Sequence, residues 1–284
     1  MRKLSKFNIS LVFVLCLLCV LLCGSACAEN AEDEIAYTEV PVYVDGLLSC
    51  RGYVIGENTY VSLEAICGIL GHDAQYGMDE ETDIMTVLVD GIEITVNKEE
   101  NYLTANGRCL YMPDGYTEVQ DTPVFPLELV AKIFTLDLMF NEESQTYNFD
   151  TANEALLVSA EEFYNEEDLY WLARIINAES RNQPLEGQIG VGNVVMNRVD
   201  NPRYPDSIKE VIFDRSCGIQ FTPVENGSIY IDPSERCEVA AKLCLEGVST
   251  VGEALFFQQA AGGDNWISNN TRHSIRIADH SFYC

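Results

Sequence analysis

The sequence predicts an α+β protein: an N-terminal module built from a repeated helix-plus-β-hairpin unit, followed by a mainly α domain. Three observations predict it. Short apolar runs in the first half end at Asp-Gly pairs. One helix-like segment of that half recurs at an offset of 64 residues. Beyond about residue 166 the apolar residues take up a helical period.

Residues 1–28 read as an export signal. Arg2, Lys3 and Lys6 form a basic start, residues 9–22 are almost wholly apolar, and Ala26-Cys27-Ala28 puts small residues where a signal peptidase reads. Cleavage is expected after Ala28, leaving no stable membrane span. Two alternatives stand beside it: a retained anchor, for which the apolar run is short, and lipid attachment at Cys27, against which Gly24 occupies a position where a lipobox prefers Leu. Export implies a compartment where disulfides persist. Of the 11 cysteines, Cys50, Cys67, Cys109, Cys217, Cys237, Cys244 and Cys284 lie beyond the signal. Their number is odd, so one thiol at least stays free or pairs between chains. Cys237 and Cys244 share a helix face and are expected in the core.

The net charge is −28. Residues 29–151 hold 25 acidic against 4 basic side chains, and residues 152–284 hold 20 against 10. Such a chain avoids nucleic acid and anionic membrane surfaces.

Residues 29–39 are acidic and polar and read as a disordered leader. Residues 40–151 are expected to form the α+β module. VPVYV at 40–44 ends at Asp45-Gly46, and TVLV at 86–89 ends at Asp90-Gly91 before IEITV at 92–96; both are hairpin signals. The repeat aligns VSLEAICGILGHD at 61–73 with FPLELVAKIFTLD at 125–137, each a short amphipathic helix followed by a β run, an acidic turn and another β run. His72, the one histidine of this half, has no ligand cluster around it and reads as a surface residue. Residues 152–165 are expected as a polar, acidic linker.

Residues 166–284 read mainly as helices. Asn165 is an N-cap with Asp168 at the capping-box position, and Leu169, Leu172, Ile175 and Ile176 make a stripe leading to Glu179. Pro184 opens a second helix, Ser207 caps a third, and a fourth runs from Ser234 to a stop at Gly247. The last forty residues are aromatic-rich and read as less regular.

Glu179 is the candidate catalytic residue. At the inner end of an apolar helix, burial and the negative helix terminus would both raise its pKa. A carboxyl kept protonated near neutral pH can protonate a glycosidic oxygen; lysozyme is the general example of such tuning. The structural alternative is a surface Glu paired with Arg174 or Arg181. HExxH, zinc-type cysteine spacing and a nucleotide-binding glycine loop are missing, so neither metal nor cofactor is expected.

Two resemblances sharpen the reading. Residues 40–150 resemble the copper amine oxidase N-terminal-like domain, through the repeated β-Asp-Gly-β unit and the two helices; the resemblance implies a spacer or wall-binding platform. Residues 168–284 resemble the SleB/CwlJ-type cell wall hydrolase (spore cortex-lytic) family, first known for degrading spore cortex. LARIINAESRNQPLEGQIGVGNVVMNRV, YPDSIKEVIF, CGIQFTPVENGSIY, GEALFFQQ, NWI and RIADHSFYC carry it. It implies a lysozyme-like helical fold and peptidoglycan glycan strands as substrate. It places the catalytic Glu in Asn-Ala-Glu-Ser-Arg, at Glu179, and the cleft at Gln220, Phe221 and Thr222. Tyr230, Gln259 and Trp266, with Phe257, are further cleft candidates. Phe221 reads equally as core, and His280 as a structural residue at the cleft edge. Ala278 stands where the family's closing motif has Gly, which bears on the terminal turn.

A single carboxyl suits a lytic transglycosylase, in which the muramic C6 hydroxyl replaces water. A second carboxyl for true hydrolysis is left open at Asp264, Asp279, Glu186 or Glu225. The rival readings are a cysteine-dependent amidase or peptidase using Cys217 with His273 or His280, and a non-catalytic wall-binding protein.

Overall fold

Strand β1 (Thr38–Val44) turns at Asp45 and Gly46 into β2 (Leu47–Ile55). Both turn residues have positive φ, 49° and 75°, which is the hairpin geometry that Asp-Gly supplies cheaply. The computed structural model describes residues 35–216, 218–260 and 266–284; the signal expected at 1–28 and most of the leader expected at 29–39 lie outside them.

From β2 the chain enters β3 (Asn58–Ser62) and α1 (Leu63–Leu70), where the Ser62 hydroxyl accepts from the Ala65 amide and Gly71, at φ 83°, ends the helix. Then follow β4 (Ala74–Asp79), β5 (Ile84–Val89), β6 (Ile92–Asn97), β7 (Tyr102–Ala105) and β8 (Arg108–Tyr111). These five make an antiparallel meander. In β5 and β6 buried residues alternate with less buried ones, so one face packs inward. The second half of the module adds β9 (Thr117–Val119), β10 (Thr122–Pro126), α2 (Leu127–Ile133), β11 (Asp137–Asn141) and β12 (Thr146–Asp150).

Seven of these strands form a second sheet, ordered β11-β12-β1-β2-β3-β10-β9, antiparallel except where β1 runs parallel to β12. The sequence repeat has a geometric counterpart here. Val61 faces Phe125, its equivalent in the other copy, and the flanking pairs Ser62–Val124 and Tyr60–Pro126 exchange under the same offset. The two copies therefore meet about a local pseudo-twofold axis. Ile66, Leu63, Leu127, Val130 and Phe134 from the helical segments close the core between the sheets.

His72 is not a bare surface residue. Its ring stacks on Phe134, with Nδ1 2.7 Å from Asp90 and Nε2 3.0 Å from Glu154, so it fastens the α1 end to a hairpin turn.

The stretch expected as a polar linker is packed onto both halves. Leu157 is buried in the N-terminal core, and the Asn106 side chain donates to its carbonyl at 2.8 Å. After the single turn α3 (Ala160–Phe163), the buried Tyr164 accepts from the Cys109 amide and donates to Glu246. Thr38–Cys284 is thus one compact unit.

The C-terminal half is built on α4 (Glu166–Ser180), α5 (Leu185–Val199), α6 (Ile208–Phe213), α7 (Thr222–Asn226) and α8 (Glu235–Leu245). Asn165, Ser207 and Ser234 cap α4, α6 and α8 as their sequence positions imply, and Pro184 caps α5. Helix α5 is central because its glycines let neighbours approach: a Cβ on Gly192 would lie 2.6 Å from Cys244 Sγ and 2.9 Å from Ile176. The chain's end is more regular than expected. Strands β13 (Phe256–Gln259), β14 (His273–Ile277) and β15 (His280–Tyr283) form an antiparallel sheet in the order β13-β15-β14, with a turn of helix α9 (Trp266–Asn270) between the first two. Phe282 at its centre drives into α5 at Gly190, where a Cβ would meet its ring at 2.8 Å. Cys237 and Cys244 are buried thiols of α8. Among the described residues no helix is long and apolar enough to cross a membrane.

Candidate active site

Glu179 is the penultimate residue of α4. The helix starts there because the Asn165 side chain accepts from the Glu167 and Asp168 amides at 2.9 and 3.1 Å, and it holds because Leu172, Ile175 and Ile176 are buried along one stripe. At its far end Gln188 Nε2 donates to the carbonyls of Arg181 and Gln183, fixing the turn into α5. The Asn177 side chain accepts from the Ser234 amide, tying the last turn to α8.

The Glu179 carboxyl opens on a cleft of about 810 Å³ between α4, the segment around Gln220, and the terminal sheet. Among the described residues it makes no hydrogen bond or ion pair. The two arginines that would have paired with it are otherwise placed: Arg174 is bound to Asp232 at 2.6 Å and stacked on Tyr170, and Arg181 forms no salt bridge with it. Burial holds the Glu179 carboxyl above the ordinary glutamate value, since nothing compensates its charge.

Gln220, Phe221, Thr222, Gln259 and Trp266 line the same cleft, together with Phe257 and His280. Phe221 is buried and tilted against Phe257 at 6.4 Å, so it is cleft wall and core at once. Trp266 is 64% exposed and meets Phe256 edge-on, an aromatic face free to carry a sugar ring. His280 is buried against Phe257, and burial lowers its pKa, so it is neutral near pH 7. Ala278 in the preceding turn has φ 46°, the left-handed conformation that favours glycine.

Tyr230 departs from expectation. It lies outside the cleft lining, in a 3-10 turn (Ser228–Tyr230) that buries Ile229 and leaves Tyr230 exposed beside Trp171. Trp171 is eight residues before Glu179, roughly 12 Å along the helix. Among the second-carboxyl candidates, Glu186 bonds to Asn101 and Asp279 lies beside Gln183, and neither lines the cleft; nor does Glu225. Asp264 and Cys217 lie outside the described residues. Three charged residues given no role in the sequence reading do line it: Arg198, Arg203, and Asp214, whose carboxylate accepts from the Ser216 amide at 2.8 Å and hydroxyl at 3.0 Å. Asp214 had no motif to flag it, being a loop residue after α6. Arg198 stands in the block NVVMNRV, where a structural arginine would serve as well.

Residues 182–283 match the Cell Wall Hydrolase family, and residues 47–149 match the Copper amine oxidase N-terminal domain. A spore cortex-lytic enzyme of Halalkalibacterium halodurans is 30% identical over 142 residues, 50% of this chain and 42% of that protein. One from Bacillus subtilis is 32% identical over 120 residues, 42% of this chain and 38% of that protein. The chain spans less than half the length of these curated relatives. Among solved structures, the catalytic domain of a germination-specific lytic transglycosylase, SleB from Bacillus anthracis, aligns at 28% identity and a TM-score of 0.39, covering 43% of this chain and 97% of that one. Residues 182–283 are thus similar to cell wall hydrolase domains, and residues 47–149 to copper amine oxidase N-terminal domains.

Proposed function

We propose that this chain is a peptidoglycan-degrading enzyme that cuts the glycan strand between N-acetylmuramic acid and N-acetylglucosamine, as a lytic transglycosylase with Glu179 acting first as acid and then as base. The observation that carries this reading is the half-buried, unpartnered Glu179 carboxyl, raised in pKa, at an aromatic and amide-lined cleft. The relatives named as spore cortex-lytic enzymes support the substrate class.

In this reading Glu179 gives its proton to the glycosidic oxygen as the C1–O bond breaks. The resulting carboxylate then takes the proton of the muramic C6 hydroxyl, whose oxygen attacks C1 and closes a 1,6-anhydro ring. The nucleophile belongs to the substrate, so it is held close without any protein group. Gln220 and Gln259 are suited to hydrogen-bond N-acetyl groups, and Phe257 and Trp266 to stack on sugar rings. Action outside the cytoplasm follows from a wall substrate, with residues 1–28 as the export signal and the module at 40–151 contacting the wall or spacing the catalytic half from it.

One observation favours a second reading. Asp214 lines the cleft with Glu179, and a second carboxylate is what glycoside hydrolysis by water requires. The cysteine-dependent reading turns on Cys217, which lies outside the described residues. Turbidity loss of purified peptidoglycan, with the full chain beside its Glu179→Gln form, tests the proposal. Lysis by the former alone is expected. Equal lysis by both would remove Glu179 from the chemistry, and no lysis by either would favour a wall-binding protein.

A further inference from the structure

The chain buries two guanidinium groups and treats them differently. Arg108 is met by a carboxylate, Glu246, through two bonds of 2.8 Å. Arg198 is as deeply buried, at 5% exposure, yet among the described residues no carboxylate forms an ion pair with it. Its Nε donates to the Leu255 carbonyl at 2.9 Å, and its Nη1 is buried with no partner. The rings of Tyr204, Phe221 and Phe256 lie 5.2, 5.2 and 5.6 Å from its guanidinium carbon and hold the plane in place. A buried charge left uncompensated is costly, and a conserving explanation is that its counter-ion arrives from outside.

Arg198 lines the cleft that holds Glu179. Among the described residues no ion pair joins the two side chains. Asp214 is near enough to favour the charged form of Arg198 without pairing with it.

We propose that Arg198 forms a carboxylate subsite in the cleft, binding an anionic oxygen of the substrate. This rests on the peptidoglycan reading above. Peptidoglycan offers such a carboxylate on the stem peptide or, where the stem has been removed, on the lactyl arm of muramic acid.

The test uses the full chain carrying Glu179→Gln, titrated by NMR with N-acetylmuramic acid, its methyl ester and muramyl dipeptide. A charge-assisted bond predicts that the acid binds roughly tenfold or more tightly than the ester. Arg198→Gln, added to the same protein, should erase that difference, and Arg198→Lys should keep part of it. Muramyl dipeptide, whose lactyl carboxyl is blocked, separates the sources: Arg198-dependent binding of it, without an acid–ester difference, would place the carboxylate on the stem. Equal binding of acid and ester together with Arg198-independent binding of the dipeptide, or binding of none of the three, overturns the subsite. The acid–ester comparison needs no Arg198 variant, so it stands even if Arg198→Gln fails to fold. Should peptidoglycan lysis still depend on Glu179 when the subsite fails, only the subsite is lost; should lysis be independent of Glu179, the parent reading falls.

Discussion

Arg108 of the N-terminal module and Glu246 of the C-terminal half form a two-bond ion pair, 2.8 Å at each contact, with side chains 5% and 1% exposed. Lys132 and Tyr164 reach the same carboxylate at 2.5 and 2.8 Å. The four residues come from three parts of the chain, and they make the two halves one folding unit.

Burial alone would raise the Glu246 pKa, but the bonds from Arg108, Lys132 and Tyr164 outweigh it and leave the pKa below the ordinary 4.5. A depressed carboxyl pKa stabilises the fold at pH above the unfolded value and loses that contribution as pH falls through the folded one. Urea midpoints should hold from about pH 5 upward and drop below about pH 4.5, and Glu246→Gln should flatten that drop. Arg108→Ala, which leaves the Glu246 carboxylate to Lys132 and Tyr164 alone, should destabilise the fold at neutral pH by less than the about 3–5 kcal/mol of a buried charge stripped of its whole partner set.

Glu179 carries the opposite sign. Its raised pKa means that the folded chain binds this proton more tightly than the unfolded chain, so stability falls as pH rises from the unfolded to the folded value. Glu179→Gln should therefore raise Tm at pH 7 while lowering the rate of glycan cleavage about 10²–10⁴-fold. For the native chain, kcat/KM should decline as pH rises through a pKa above the usual glutamate range, because the acid must start protonated. A profile with no such limb would contradict the role.

Asp214 separates transglycosylation from hydrolysis. Under the one-carboxyl mechanism, Asp214→Asn, which keeps the acceptor oxygen for Ser216, should change cleavage rate by less than about tenfold. A loss of about 10² or more, with reducing-end products, would make Asp214 the second carboxyl of a hydrolase.

Gly192 lets α4 and α8 close on α5. Gly192→Ala would push a methyl to 2.6 Å from Cys244 Sγ and should cost about 1–3 kcal/mol, read as a lower urea midpoint. Ala278, at φ 46°, is the converse: Ala278→Gly should gain about 1 kcal/mol. No gain would mean that the turn relaxes in solution.

What the sequence disclosed was local. Asp45-Gly46 and Asp90-Gly91 announced their hairpins because the required positive φ at both positions leaves few residue choices. The helix starts at Asn165, Ser207 and Ser234 were legible because a capping side chain is a short-range device. The 64-residue repeat was legible too, though not the direct pairing of Val61 with Phe125 that it produces. Long-range relations were hidden. β1 beside β12 depends on strands about a hundred residues apart, and β13 to β15 are too short and aromatic to show a period of two. The cleft was half visible: two motifs marked Glu179 and Gln220-Phe221-Thr222, while Asp214 reaches it from a loop by folding alone and Tyr230 lies outside its lining.

The central claim, that one half-buried carboxyl cuts the glycan strand, is tested most directly by mass spectrometry of purified peptidoglycan digested with the full chain beside its Glu179→Gln form. The account predicts 1,6-anhydro-muropeptides from the native chain and none from the substituted one. Free stem peptides, or products undiminished by the substitution, would contradict it.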